Sequence, residues 1–319
     1  MANAPNSQAT ALADRLDGLL FFPVTPADPA GRLAEPVYRQ HLRAGLDAGC
    51  GAVFACCGTG EFVALDLADY AAALRAAVTE TAGAVPVVAG IGYGTALACQ
   101  FATAAADAGV DGLLVMPPYL ITPDQDGLRR HFLALAEASS VDLILYQRDN
   151  AIFTPDTVAA LAQHPRIIGL KDGYGDLDLL QRTISAVRST PGTAGFRYFN
   201  GMPTAEMSAL AFRGVGVTLY SSAVFCFAPD LALAFYRALT TGDQAGVDQL
   251  VDGFYRPFVE LRQRGVGYAV SLVKAGVRLT GLDVGPVRPP LTEPDPDHVK
   301  ELARLVEAGR AVLAVAQRR

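Results

Sequence analysis

Eight short runs rich in β-branched and aromatic residues punctuate the first two thirds of the chain, and their spacing constrains the fold more than any other feature. They read GLLFFPVTP, GAVFACCGTG, VPVVAGIG, DGLLVMPPY, DLILYQRD, IIGLKDG, FRYFNGMP and GVGVTLYSSAV, all ending before about residue 224. Between them lie segments such as PVYRQHLRAGLDAG and ADYAAALRAAVTETAG, whose apolar residues recur at three and four, the period of an amphipathic helix. Strands that are apolar nearly throughout are buried on both faces, which points to parallel pairing under a cover of helices. Eight strand–helix units are the number that closes a (β/α)8 TIM barrel, an α/β fold. An open doubly wound sheet is the alternative, but GIGYGT (residues 90–95) lacks the GxGxxG spacing and no GK[ST] follows any run, so a nucleotide cofactor is not supported.

After the eighth run the pattern turns helical to the end. We therefore divide the chain into an N-terminal leader (1–17), a catalytic barrel (18–240) and a C-terminal helical extension (241–319), with the proline-rich GPVRPPLTEPDPD before the last helix. The leader, MANAPNSQATALADRLDG, has no basic region followed by an apolar core, so it reads as a loose or disordered segment and not as a secretory signal. The longest apolar stretches are far short of the roughly 20 residues that span a bilayer, and a cytoplasmic protein without membrane contact is expected. A net charge of −6 argues against nucleic acid as a partner, because phosphate backbones require clustered cations. The five cysteines are odd in number and lack ligand spacing, and the four histidines are scattered, so no metal site is expected.

In a barrel of this kind chemistry sits at the C-terminal ends of the strands. Those positions here include Thr25, the CGTGE turn with Gly58, Thr59 and Gly60, Tyr119, Tyr146 with Arg148, Lys171 with Asp172, Asn200 with Gly201, and Tyr220 to Ser222. Lys171 is notable because the chain has three lysines against 23 arginines. A lysine can lose its proton and attack a carbonyl to form an imine, which arginine cannot do. Free lysine holds its proton to about pH 10.4, and apolar walls of the kind RIIGLKDG supplies favour the neutral amine. The alternative is a lysine paired with Asp172 or another acid at the barrel mouth; the scarcity of lysine favours the imine. Tyr146, 25 residues earlier, is either a proton shuttle to the carbon beside that imine or an aromatic packed at the rim. The Gly58–Thr59–Gly60 turn offers a hydroxyl and successive N–H groups to a carboxylate, or is a plain turn with Glu61 as a helix-start acid. Asp176 and Asp178 read as a helix cap and a first-turn acid.

GLLFFPVTP, CGTGE, MPPY, the tyrosine ending the fifth run, GLKDG and the tail LVKAGVRLTGLDVGPVRPPL together resemble the dihydrodipicolinate synthase / N-acetylneuraminate lyase superfamily over residues 18–310. The resemblance implies a homo-oligomeric (tetrameric or dimeric) Schiff-base enzyme without metal or organic cofactor. It implies that Lys171 forms an imine with a 2-oxo acid, that Tyr146 is its acid/base partner, and that Thr59 and its turn bind the adjacent carboxylate. It also implies that Tyr119 reaches into a neighbouring subunit's site, and that Lys274 occupies a structural position in the C-terminal helices. Two features depart from the common pattern. Gly58 stands where many members carry a hydroxyl, so a water or another group must complete the relay to the tyrosine. Arg148 lies two residues after the tyrosine, where lysine-pathway synthases place an arginine further on. Within the superfamily, CGTGEF, YQRDNAIF, GLKDGYGD, NGMPTAE and YSSAVFCF resemble the subgroup acting on 5-dehydro-4-deoxyglucarate. That resemblance implies loss of water and carbon dioxide from a small dianionic sugar acid, with Arg148, Asn200, Ser221 and Ser222 as candidates for its second carboxylate. The alternatives are an aldolase of a 2-oxo-3-deoxy sugar acid that releases pyruvate, and a non-catalytic barrel that binds a sugar acid.

Overall fold

The computed structural model describes residues 11–316. All eight expected runs form strands: β1 (Leu20–Phe21), β2 (Ala52–Ala55), β3 (Val87–Ile91), β4 (Gly112–Val115), β5 (Asp142–Gln147), β6 (Ile167–Asp172), β7 (Arg197–Asn200) and β8 (Leu219–Ser222). Each pairs in parallel with its sequence neighbours, and β1 closes on β8. The helices between them cover the outside, which is why both faces of the strands are apolar.

Alternation along the strands sorts side chains into two cores. Phe21, Val53, Leu113, Leu145 and Leu170 pack outward under the helices. Leu20, Phe54, Leu114, Ile144, Tyr146 and Phe199 fill the barrel interior, where Phe22 stacks on Phe54 with ring centroids 4.6 Å apart. One irregularity matters for function. Leu143 pairs with Ile167 but Ile144 pairs with Gly169, so β6 carries one extra residue. Ile167 and Leu170 therefore both face outward while Ile168 packs on the interior core. Without that extra residue strict alternation would turn Lys171 toward the helices; with it, Lys171 points inward beside Tyr146. Gly169 permits the irregularity, because a Cβ there would lie 2.7 Å from the Arg197 carbonyl oxygen.

The N-terminal segment differs from expectation. Residues 1–10 of the expected leader lie outside the described residues, but Leu12–Arg15 form a helical turn and Leu12 and Leu16 are buried in the interior core. Arg15 pairs with Asp111, and Arg197 donates to the Leu16 carbonyl at 2.9 Å, tying this segment to the base of the barrel. From Ala11 onward the chain is therefore part of the packed fold and not a loose leader.

The barrel's last helix, Pro229–Thr241, ends at Gly242, whose φ of +78° is the left-handed cap that glycine adopts without strain. Helices Gln244–Leu250, Arg256–Arg262, Tyr268–Leu279 and Pro296–Ala316 follow. No helix among the described residues is long and apolar enough to cross a membrane.

Candidate active site

A cavity of about 400 Å³ opens at the C-terminal ends of the strands, with Lys171, Tyr146, Thr59, Arg148 and Ser221 among its walls. The Lys171 amine lies 4.2 Å from the Tyr146 ring centroid and 5.1 Å from that of Phe22, so two aromatic faces flank it. Lys171 is 5% exposed, and no acid among the described residues lies within ion-pair distance of it. Asp172, the pairing alternative, faces the other way. Its carboxylate accepts from Gln147 Nε2 at 3.1 Å and from the backbone N–H of Tyr174 and Gly175, capping the loop after β6. With no acid in reach the amine is not held in a structural ion pair, and it faces the cavity, where a bound carbonyl can meet it.

The Tyr146 hydroxyl donates to the Gly201 carbonyl at 3.3 Å and accepts from Arg148 Nη1 at 3.4 Å. Burial pushes this phenol's pKa up, but the positive charges of Lys171 and Arg148 outweigh burial, and the net direction is down. Arg148 is divided between Tyr146 and Asp149, its Nε lying 3.1 Å from Asp149 Oδ2. Two glycines keep the space clear. A Cβ at Gly201 would come within 3.0 Å of Lys171 Nζ, and one at Gly173 within 3.0 Å of the Tyr146 hydroxyl. At Gly58, which also lines the cavity, a Cβ would meet nothing within 4 Å, so the hydroxyl absent there leaves open room. Cys57 lines the floor, but burial drives its thiol well up, against the opposing charge of Lys171, so it stays protonated and is no rival nucleophile.

Of the residues selected from sequence, Lys171, Tyr146, Gly58, Thr59, Arg148, Gly201, Ser221 and Tyr119 meet at this cavity. Gly60, Asn200 and Ser222 do not. Gly60 sits behind the turn, where a Cβ would be 3.0 Å from Thr25 Oγ1. Asn200 pairs in register with Asp172, one residue past the inward Phe199, and so turns outward. Its amide donates to the Ala205 carbonyl and Ser208 Oγ and its oxygen accepts from Met202 N, bracing the loop after β7. Ser222 pairs with the outward Phe21 and hydrogen-bonds Glu206 at 2.5 Å, whereas Ser221 pairs with the inward Leu20. Counting alternation from Lys171 and Tyr146 separates these residues. None of the four histidines lines the cavity. Ala269 and Val270, from the C-terminal helices, do line it, and nothing in their sequence context marked them.

Glu206 also escaped notice. Its carboxyl is 2% exposed and burial pushes it up from the ordinary 4.5 to about 7, with the Ser222 hydrogen bond opposing. Between these values the folded chain keeps a proton that the unfolded chain releases, so stability is lost as pH rises from 4.5 through about 7. Glu206→Gln should remove that loss. Relative to wild type the variant is expected to gain up to about 3 kcal/mol between pH 4.5 and pH 8, read by denaturant unfolding. Parallel pH profiles for the two proteins would contradict the assignment.

Comparison with known proteins agrees with the fold. The family model described as "Dihydrodipicolinate synthetase family" matches residues 15–309. The chain is 64% identical over 297 residues to a Streptomyces griseus protein named "Probable 5-dehydro-4-deoxyglucarate dehydratase", covering 93% of each. It is 46% identical to a protein of the same name from Rhizobium rhizogenes, covering 92% of this chain and 96% of that one. Among solved structures it superposes on dihydrodipicolinate synthase from Bacillus clausii with a TM-score of 0.84 at 26% identity, covering 94% of this chain and 99% of that one. The closed eight-stranded barrel and these matches agree: the chain belongs to the dihydrodipicolinate synthetase family.

Proposed function

We propose that this chain is a Schiff-base dehydratase that removes water and carbon dioxide from 5-dehydro-4-deoxy-D-glucarate, giving 2,5-dioxopentanoate. The observation that carries the chemistry is the acid-free Lys171 amine between the Phe22 and Tyr146 rings. The choice of substrate is supported by the names of relatives up to 64% identical.

In this reading Lys171 attacks the keto carbon and loses its oxygen as water to form an iminium, with the neighbouring carboxylate seated on the Thr59 turn. The iminium acidifies the adjacent methylene. Tyr146, made more acidic by the positive charges around it, is suited to take that proton as phenolate. The iminium carries the same positive charge as a lysine ammonium, so the bias is present when the methylene proton is taken. Hydroxide then leaves the next carbon with a proton returned by the phenol, forming a double bond conjugated to the iminium. Carbon dioxide departs from the far carboxylate as its bonding electrons flow through the conjugated system to nitrogen. Tautomerisation of the resulting enol gives the aldehyde, protonation of the remaining enamine carbon restores the iminium, and its hydrolysis frees Lys171. One electron sink serves both losses.

Loss of carbon dioxide is favoured when the far carboxylate meets neutral donors in place of a tight ion pair. Ser221 fits that role, while Arg148, engaged with Tyr146 and Asp149, fits the tuning of the phenol. The rim residues Tyr119, Leu120 and Ile121 are exposed, and Asn150 ties their loop through the Pro118 and Ile121 carbonyls. We read them as the surface that a second copy covers in a homo-oligomer, a dimer or tetramer. In this reading the enzyme works in the cytoplasm, in the breakdown of glucarate or galactarate.

Incubation with 5-dehydro-4-deoxyglucarate should release equimolar carbon dioxide and 2,5-dioxopentanoate. Pyruvate release would replace the dehydratase by an aldolase, and an unchanged substrate would leave only a sugar-acid-binding barrel.

A further inference from the structure

Behind the Thr59 turn lies a buried charge cluster that the reaction scheme does not use. Glu61, whose left-handed φ of +57° is unusual for a residue with a side chain, accepts from Lys274 Nζ at 2.7 Å and from the Arg288 backbone N–H at 2.5 Å. Arg288 Nη1 is 3.6 Å from the same carboxylate. The side chains are 1% (Glu61), 0% (Lys274) and 4% (Arg288) exposed. Among the described residues Glu61 is the one carboxylate within ion-pair distance of either cation, so two positive charges face one negative charge. The surplus is held by carbonyl oxygens: Lys274 donates to Thr25 and Pro286, and Arg288 to Thr25, Pro26 and Gly31. The next cation along, Arg278, is already matched by Glu293.

This cluster adjoins the turn directly. The Glu61 N–H donates to the Gly58 carbonyl at 3.1 Å, and Gly60 packs on Thr25, whose carbonyl takes both cations. We propose that Glu61, Lys274 and Arg288 form a fixed net positive charge behind the Gly58–Thr59–Gly60 turn, and that this charge sets how tightly the turn holds the carboxylate beside the substrate's keto carbon. The proposal rests on the reading of that turn as the carboxylate seat. It assigns Lys274 and Arg288 as positioning residues that act through the turn without touching substrate. A surplus charge away from water is weakly screened, so it attracts an anion at the nearest open point, and Thr59 lines that opening.

The test is a charge ladder read with pyruvate, the smallest 2-oxo acid, trapped on the protein by borohydride. Lys274→Met cancels the surplus, and the half-saturating pyruvate concentration should rise on the order of tenfold. Adding Glu61→Gln to that variant restores one net positive charge, and pyruvate binding should return to within about threefold of wild type. Hydroxyacetone, which has the ketone without the carboxylate, should be trapped equally by all three proteins. A double variant as weak as Lys274→Met overturns the proposal, since a purely structural role gains nothing from a second lesion. If Lys274→Met does not fold, Glu61→Gln alone decides: it should bind pyruvate at least as tightly as wild type, and weaker binding overturns the proposal. Wild type labelled by pyruvate with no ladder removes this inference alone. Wild type left unlabelled removes the imine reading and this inference with it.

Discussion

Lys171→Arg is expected to abolish turnover, with kcat falling by at least about 10⁴-fold although the charge is kept. A guanidinium holds its proton across the working pH range and cannot become the carbon–nitrogen nucleophile. Kinetics of the purified variant, with thermal unfolding to show that it folds, would check this. Activity above about one per cent of wild type would remove the covalent mechanism.

Tyr146→Phe should lower kcat by about 10²- to 10⁴-fold, the range for loss of a positioned acid/base, while leaving the imine trappable. The substitution keeps the ring face that lies 4.2 Å from the Lys171 amine and removes only the hydroxyl facing Gly201 and Arg148. It therefore separates the two roles the sequence left open. Near wild-type turnover would make Tyr146 a packing residue. A slow variant that still accumulates a reducible adduct would place the defect after imine formation. The two substitutions thus act on successive steps, bond formation and proton transfer.

The barrel was legible because it is written in patterns of short range. Nearly continuous apolar runs and helices of period three to four alternate eight times, and parallel pairing leaves few other ways to bury them. Lys171 and Tyr146 stood out because lysine is scarce and both end strands. Which strand-end residues face the cavity was harder to read. Asn200 and Ser222 were selected for chemistry alone, yet strand alternation turns each toward the helices while Phe199 and Ser221 face in. Lys171 faces in only because β6 carries an extra residue near Gly169, a detail settled by pairing with β5 and invisible in β6 by itself.

Long-range charge was the least legible. Glu61 looked like an acid at a helix start, and its partners Lys274 and Arg288 lie 213 and 227 residues away. Glu206 carried no signal in its local sequence, and the fold buries it against Ser222. Burial and charge balance of this kind come from tertiary packing, and no local pattern encodes them. Ala269 and Val270 reach the cavity for the same reason: the C-terminal helices return to the strand ends.

The account depends on one amine in an apolar pocket forming a transient bond to a 2-oxo acid. Borohydride reduction of the wild-type protein during turnover, followed by peptide mass spectrometry, tests this most directly. A single adduct of substrate-derived mass on Lys171, with loss of activity in step with labelling, is the predicted result; full turnover with Lys171 unmodified would contradict it.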